Sequence, residues 1–89
     1  MTDNEIYRHA IAAFGADMQE CVAIEECAEL IQAITHKHRC RTHNIAEEIA
    51  DVEIMLAQLK IINGCASEVD AIHEEKVKRL YDRICDELL

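Results

Sequence analysis

Six acidic residues fall in two short clusters, Glu25-Glu26-Cys27-Ala28-Glu29 and Glu47-Glu48-Ile49-Ala50-Asp51. On a helix, residues three apart share a side, so Glu26 lies beside Glu29 and Glu48 beside Asp51. No Lys or Arg stands three or four residues from any of these four on its own segment. Like charges at that spacing cost a few tenths of a kcal/mol on an exposed helix, and more where water is excluded. A shared divalent cation removes that repulsion. Carboxylate oxygens plus water suit a hard ion: Mg²⁺, or Mn²⁺ in its place. Mg²⁺ keeps several waters and is normally completed by substrate phosphates, so an acid-only site points to a phosphate-bearing substrate. A plainer reading competes. Glu25, Glu29, Gln32 and His36 fall on one arc of their helix, as a solvated face would.

Helices must position these acids. Thr2-x-x-Glu5 has the pattern of a capping box and predicts a first helix to about Phe14, with Ile6, Ala10, Ala13 and Phe14 on one stripe. Gly15 stops it, because glycine accepts positive φ without a Cβ clash. Asp17-x-x-Glu20 predicts the start of a second helix to about His38. A polar loop from Arg39 to His43 follows. Asn44-x-x-Glu47 predicts a third helix, ending at Asn63-Gly64. Ser67-x-x-Asp70 predicts a fourth, with Val69, Ile72, Val77, Leu80, Ile84 and Leu88 at helical spacing.

The second and third helices are long and their connection is short, which makes antiparallel neighbours. In such a hairpin Glu29 and Asp51 lie at about the same depth, ~10 Å below the turn at ~1.5 Å per residue. Helix axes ~8–10 Å apart let glutamates from both sides reach one cation. The third helix has an unusual wheel. Asn44, Glu47, Glu48, Asp51 and Gln58 share one arc, with Glu53 and Lys60 nearly opposite. Ile45, Ile49, Val52 and Leu56 fill one flank, and Ala50, Ile54, Ala57 and Ile61 the other. A surface helix normally has one apolar face. Two apolar flanks predict cover on both sides, with the polar arc turned into a cleft. Such cover is hard to find within 89 residues, so the pattern predicts a homodimer or larger assembly. The expected fold class is all-α: a four-helix chain with a central antiparallel hairpin, assembling into an oligomeric helical bundle.

Composition sets the frame. Hydrophobic residues make up 51% of the chain, with no proline and two glycines. That excludes an acidic disordered tail and a turn-rich sandwich or barrel. Residues 1–89 form one domain. Eighteen acids against nine bases give a net charge of −9, which argues against binding a nucleic-acid backbone. No apolar run approaches the ~20 residues of a membrane span. The acidic start, Met1-Thr2-Asp3-Asn4-Glu5, does not resemble a signal peptide, and a soluble cytoplasmic protein is expected. One Phe, two Tyr and no Trp leave few large core fillers, another reason to expect self-assembly. Five cysteines, an odd number, with Cys21, Cys27 and Cys85 at apolar positions, predict reduced buried thiols.

Taken together, these motifs resemble the MazG-like all-α nucleoside triphosphate pyrophosphohydrolases. Glu25-Glu26-x-x-Glu29, a spacer over residues 30–47, then Glu48-x-x-Asp51 has the form of that family's EExxE…ExxD signature. Residues 23–33 look like its first motif helix and residues 45–52 like its second. Gln19 sits where short members often carry a glutamine. Lys76-x-x-Arg79-x-x-x-Arg83 resembles the basic positions of the closing helix. The resemblance covers roughly residues 14–85. It implies a Mg²⁺-dependent hydrolase, in which Mn²⁺ can substitute, cleaving a nucleoside triphosphate to monophosphate and pyrophosphate. It also implies a homodimer or dimer of dimers. Carried over by position, Glu26, Glu29, Glu48 and Asp51 are metal ligands. Glu29 is the candidate general base and Glu25 the second candidate catalytic acid, with Glu25 and Glu47 beside the site as supporting or additional ligands. Gln19, Lys76, Arg79 and Arg83 are the candidate substrate contacts.

Several points stay open on sequence. Lys76, Arg79 and Arg83 share a helix face and suit a triphosphate clamp, or a solvated stripe paired with Glu75, Asp82 and Glu87. The basic stretch from His36 to His43 suits a solvated turn at a helix C-terminus, an anion-steering patch, or zinc held by His36, His38, Cys40 and His43. Phe14, Tyr7 and Tyr81 are the rings available to stack a base. Phosphoribosyl-ATP, dUTP and dCTP are alternative substrates. A non-catalytic helical oligomerisation or metal-binding module is the alternative of another class.

Overall fold

The structure, a computed structural model, describes residues 1–88. Its first turn is built as the sequence predicts. The Thr2 N–H donates to Glu5 Oε2 at 3.1 Å, and the Glu5 N–H donates to Thr2 Oγ1 at 3.2 Å. This capping box opens α1, Asp3–Phe14. Three further helices follow: α2, Ala16–His38; α3, Ile45–Ile62; and α4, Ala66–Leu88. The chain is all-α among the described residues.

The other three predicted starts are shifted or differently made. Gly15 is the last cap of α1 and the first cap of α2 at once. Its φ of 92° and ψ of 146° lie outside the left-handed helical region, in territory open essentially to glycine. α2 therefore starts at Ala16, and the Asp17-x-x-Glu20 box does not cap it. α3 has Asn44 at its N-cap without a side-chain capping bond to a backbone N–H. α4 starts at Ala66, so Ser67 lies inside it. The second turn closes on Asn63-Gly64, with Gly64 at φ 59°.

α2 packs mainly on α3, α1 lies against both, and α4 touches α3 alone. Residue 19, early in α2, meets residue 58, late in α3; residues 26 and 29 meet residue 48, early in α3. The buried set is small and half polar: Ala23, Ala33 and Met55 with Gln19, Glu48 and Gln58. On α3 the buried positions are Glu48, Met55 and Gln58, so part of the polar arc faces inward, with Asp51 half-buried and Asn44 and Glu47 exposed. The apolar flanks are only partly covered: Ile45, Val52, Ala57 and Ile61 are half-buried, but Ile49, Ile54 and Leu56 are exposed, as are Ile24 and Ile31 on α2.

The rest of the chain is open. Neither α1 nor α4 buries a residue among those described, so their predicted stripes find little cover within one chain. The radius of gyration is 16.4 Å, against roughly 12 Å for a compact domain of this length. The cysteines correct a second expectation. All five are free, but Cys21, Cys27 and Cys40 are exposed, and Cys65 and Cys85 only half-buried. No described helix is long and apolar enough to cross a membrane.

Candidate metal centre

Helical spacing and one interhelical contact bring the acids together. Glu26 and Glu29 are three apart on α2, and Glu48 reaches them from the first turn of α3. One carboxylate oxygen from each of these three lies within 4.8 Å of the others. Glu48 is 6% exposed and Glu26 half-buried, while Glu29 sits at the solvent side. Two of the oxygens, Glu26 Oε2 and Glu48 Oε2, are buried without a hydrogen-bond partner. The other Glu48 oxygen is held: Asn44 Nδ2–H donates to Glu48 Oε1 at 2.7 Å.

The electrostatics follow from that crowding. Burial pushes the Glu26 carboxyl up to about 7, and the charges of Glu29 and Asp51 push the same way. Burial also raises Glu48; the Asn44 hydrogen bond opposes that rise, and Glu29 and Asp51 reinforce it. Unpaired buried carboxylates are costly, and here two carboxylates with a buried unpartnered oxygen share a cluster with a third, exposed one. A cation relieves all of them. An all-oxygen donor set with buried, unsatisfied atoms fits a hard divalent ion such as Mg²⁺ or Mn²⁺.

The remaining candidates are sorted by the same geometry. Asp51, half-buried, is near enough to act electrostatically on Glu26 and Glu48 but is not one of the three clustered carboxylates. Glu25 and Glu47 are exposed and outside the cluster. Gln19 is not a free contact. It is 7% exposed, and its Nε2–H donates to Gln58 Oε1 at 2.7 Å. Gln58 Nε2–H in turn donates to Met55 Sδ at 3.7 Å. Nothing in the sequence singled out Gln58 as the partner of Gln19. Asn44 was expected to cap α3, a role worth about 1 kcal/mol, yet its side chain turns to Glu48 instead.

The basic groups lie elsewhere. Lys76, Arg79 and Arg83 do gather, lining with Leu80 a cavity of about 210 Å³ on α4. Lys78–Asp82, at 3.4 Å, is the one salt bridge among the described residues, so the trio is not paired with Glu75, Asp82 or Glu87. α4 does not touch α2, so one chain does not pack this trio against the α2 acids. His36, His38, Cys40 and His43 do not converge as a metal-binding group; the only such group among the described residues is acidic. Cys40 takes φ 55° in the turn. Phe14 and Tyr81 are exposed and Tyr7 half-buried. Set against protein-family models, curated proteins and solved structures, the chain finds no match in any of the three.

Proposed function

We propose that this chain is a Mg²⁺-dependent nucleoside triphosphate pyrophosphohydrolase, converting an NTP or dNTP and water to the monophosphate and pyrophosphate. The observation that carries the reading is the carboxylate cluster of Glu26, Glu29 and Glu48, with two buried oxygens that lack partners. The EExxE…ExxD pattern joins it to that reaction class. Glu26, Glu29 and Glu48 would hold the ion, with Asp51 adjacent. Bound there, Mg²⁺ would neutralise charge on the phosphate oxygens.

The chain's own groups supply the rest. Glu29, at the solvent side, would accept a proton from an attacking water. Glu25, one residue before Glu26 and outside the cluster, acts at its margin. Lys76, Arg79 and Arg83 present three cations on one face, a set suited to a triphosphate. Gln19, the remaining candidate substrate contact, is bonded to Gln58 across the seam between helices.

The working unit in this proposal is a homodimer or dimer of dimers, built around the α2–α3 hairpin. Two facts support it. Large apolar residues on α2, α3 and α4 are exposed, and the single chain is far more extended than a compact domain of its length. Copies of the chain are the cover that the two-flanked wheel asks for. Light scattering at micromolar concentration is expected to give at least twice 10.1 kDa; a stable monomer sinks the assembly.

The deciding experiment is a Mg²⁺-dependent assay over natural and modified NTPs and dNTPs, with products separated. Monophosphate plus pyrophosphate supports the reaction. Diphosphate plus phosphate refutes the bond assignment. A folded, metal-loaded protein inert on the whole panel refutes the NTP assignment and favours phosphoribosyl-ATP hydrolysis or a non-catalytic module.

A further inference from the structure

Asn44 stands at the position where a side chain normally accepts from the first turn of a helix. It makes no such bond to α3. Its Nδ2–H donates instead to Glu48 Oε1 at 2.7 Å, one turn along. Glu48 is buried, and its second oxygen, Oε2, is buried with no partner. One oxygen of the carboxylate is thus held by the chain and the other is buried and unheld, and the group sits with one oxygen within 4.8 Å of an oxygen of Glu26 and of Glu29. Hydrogen bonds that hold a ligating carboxylate set its orientation and its affinity for a metal.

We infer that Asn44 is a positioning residue, which gives up its capping role to lock the Glu48 carboxylate so that Oε2 faces the cation. The inference rests on the proposed metal centre and deepens it. Without the donor, Glu48 is free to rotate about its terminal torsion, and neither oxygen is held toward α2. The backbone of α3 does not depend on the lock, since the Glu48 N–H already donates to the Asn44 carbonyl at 3.0 Å.

The test uses the full chain and Mn²⁺ alone, followed by electron paramagnetic resonance of the free ion. Asn44→Gly and Asn44→Ala both remove the donor. Glycine is nearly as good an N-cap as asparagine and alanine is much worse. A capping role therefore predicts wild-type behaviour for Asn44→Gly and a loss for Asn44→Ala. The positioning role predicts that both weaken Mn²⁺ binding by about tenfold or more, while Asn44→Gly keeps the wild-type melting curve in metal-free protein. A second readout needs no metal: Glu48→Ala should shift the Asn44 side-chain amide resonances. Wild-type Mn²⁺ affinity in Asn44→Gly, or an Asn44 amide indifferent to Glu48→Ala, overturns the role of Asn44 alone. A wild-type protein that does not bind Mn²⁺ overturns the metal centre and this role with it.

Discussion

The seam between α2 and α3 has two polar levels, and they differ in completeness. At one, Gln19 and Gln58 are buried and bonded to each other, and Gln58 also reaches Met55. At the other, Glu26, Glu29 and Glu48 crowd together, and two buried oxygens have no partner. Amides carry donor and acceptor on one group, so two of them can satisfy each other. Ionised carboxylates are acceptors only, so three of them cannot, unless one keeps its proton, as Glu26 does below about pH 7. The glutamine level is closed within the chain. The glutamate level asks for something positive from outside it.

Four tests break or sharpen that contrast. The largest effect is expected from Glu48→Gln, which makes the acidic level resemble the amide level. Turnover should vanish, and Mn²⁺ binding with it, while circular dichroism stays helical. Glu26→Gln should behave alike. Persistent turnover means that the acids are not the metal centre. Metal-free Glu48→Gln should also melt higher than wild type, because a strained buried acid is gone.

Acidity gives the next effect. Glu26 keeps its proton to about pH 7 when folded, against an ordinary 4.5. Between those values the folded chain holds a proton that the unfolded chain has released. The associated stability is full below the lower value and is lost as pH rises through the upper one. Glu48, also raised, acts in the same direction. The urea midpoint of metal-free protein should fall from pH 5 to pH 8, and Glu26→Gln should flatten the slope. Millimolar Mg²⁺ should restore the midpoint at pH 8. A midpoint that climbs with pH would contradict the account.

The amide level should respond more modestly. Gln58→Leu strands the Gln19 donor in a buried place, at about 1–3 kcal/mol. Adding Gln19→Leu should recover most of that loss, because both partners are then apolar. Urea titration of the two single variants and the double tests the coupling; simple additivity would dissolve the pair. The smallest effect belongs outside the seam. Lys78→Ala removes an exposed ion pair and should change stability by less than about 1 kcal/mol.

Much of this contrast is legible in the sequence. Spacing alone puts Glu26 beside Glu29, and the wheel of α3 turns part of its polar arc inward, where Glu48 and Gln58 are buried. Gly15 and Asn63-Gly64 mark real boundaries because few residues in this chain can leave a helix. The caps read less well. Thr2, Asp17, Asn44 and Ser67 all begin a polar-x-x-acid pattern, yet only Thr2 makes the box. Gly15 starts α2 early, and Asn44 finds a buried carboxylate to hold. Both outcomes depend on backbone angles and on neighbours, which a local pattern does not contain. The bond from Gln19 to Gln58 was not legible for the same reason: its partner lies 39 residues away on another helix. The exposed thiols and apolar flanks show the opposite limit. Hydropathy says which side chains want cover, and one chain does not supply it.

Gly15 has a mechanical meaning as well. It is all that separates α1 from α2, so the angle between them rests on a single pair of dihedrals. A tether that short forfeits little entropy when α1 docks. A Cβ at this position meets nothing within 4 Å; any resistance to alanine comes from the backbone angle, not from crowding. α1 is a lever on one bearing, and an L-residue at that bearing would act through the backbone angle alone, its Cβ meeting nothing, while any re-aiming of the arm would be felt in its packing on α2 and α3.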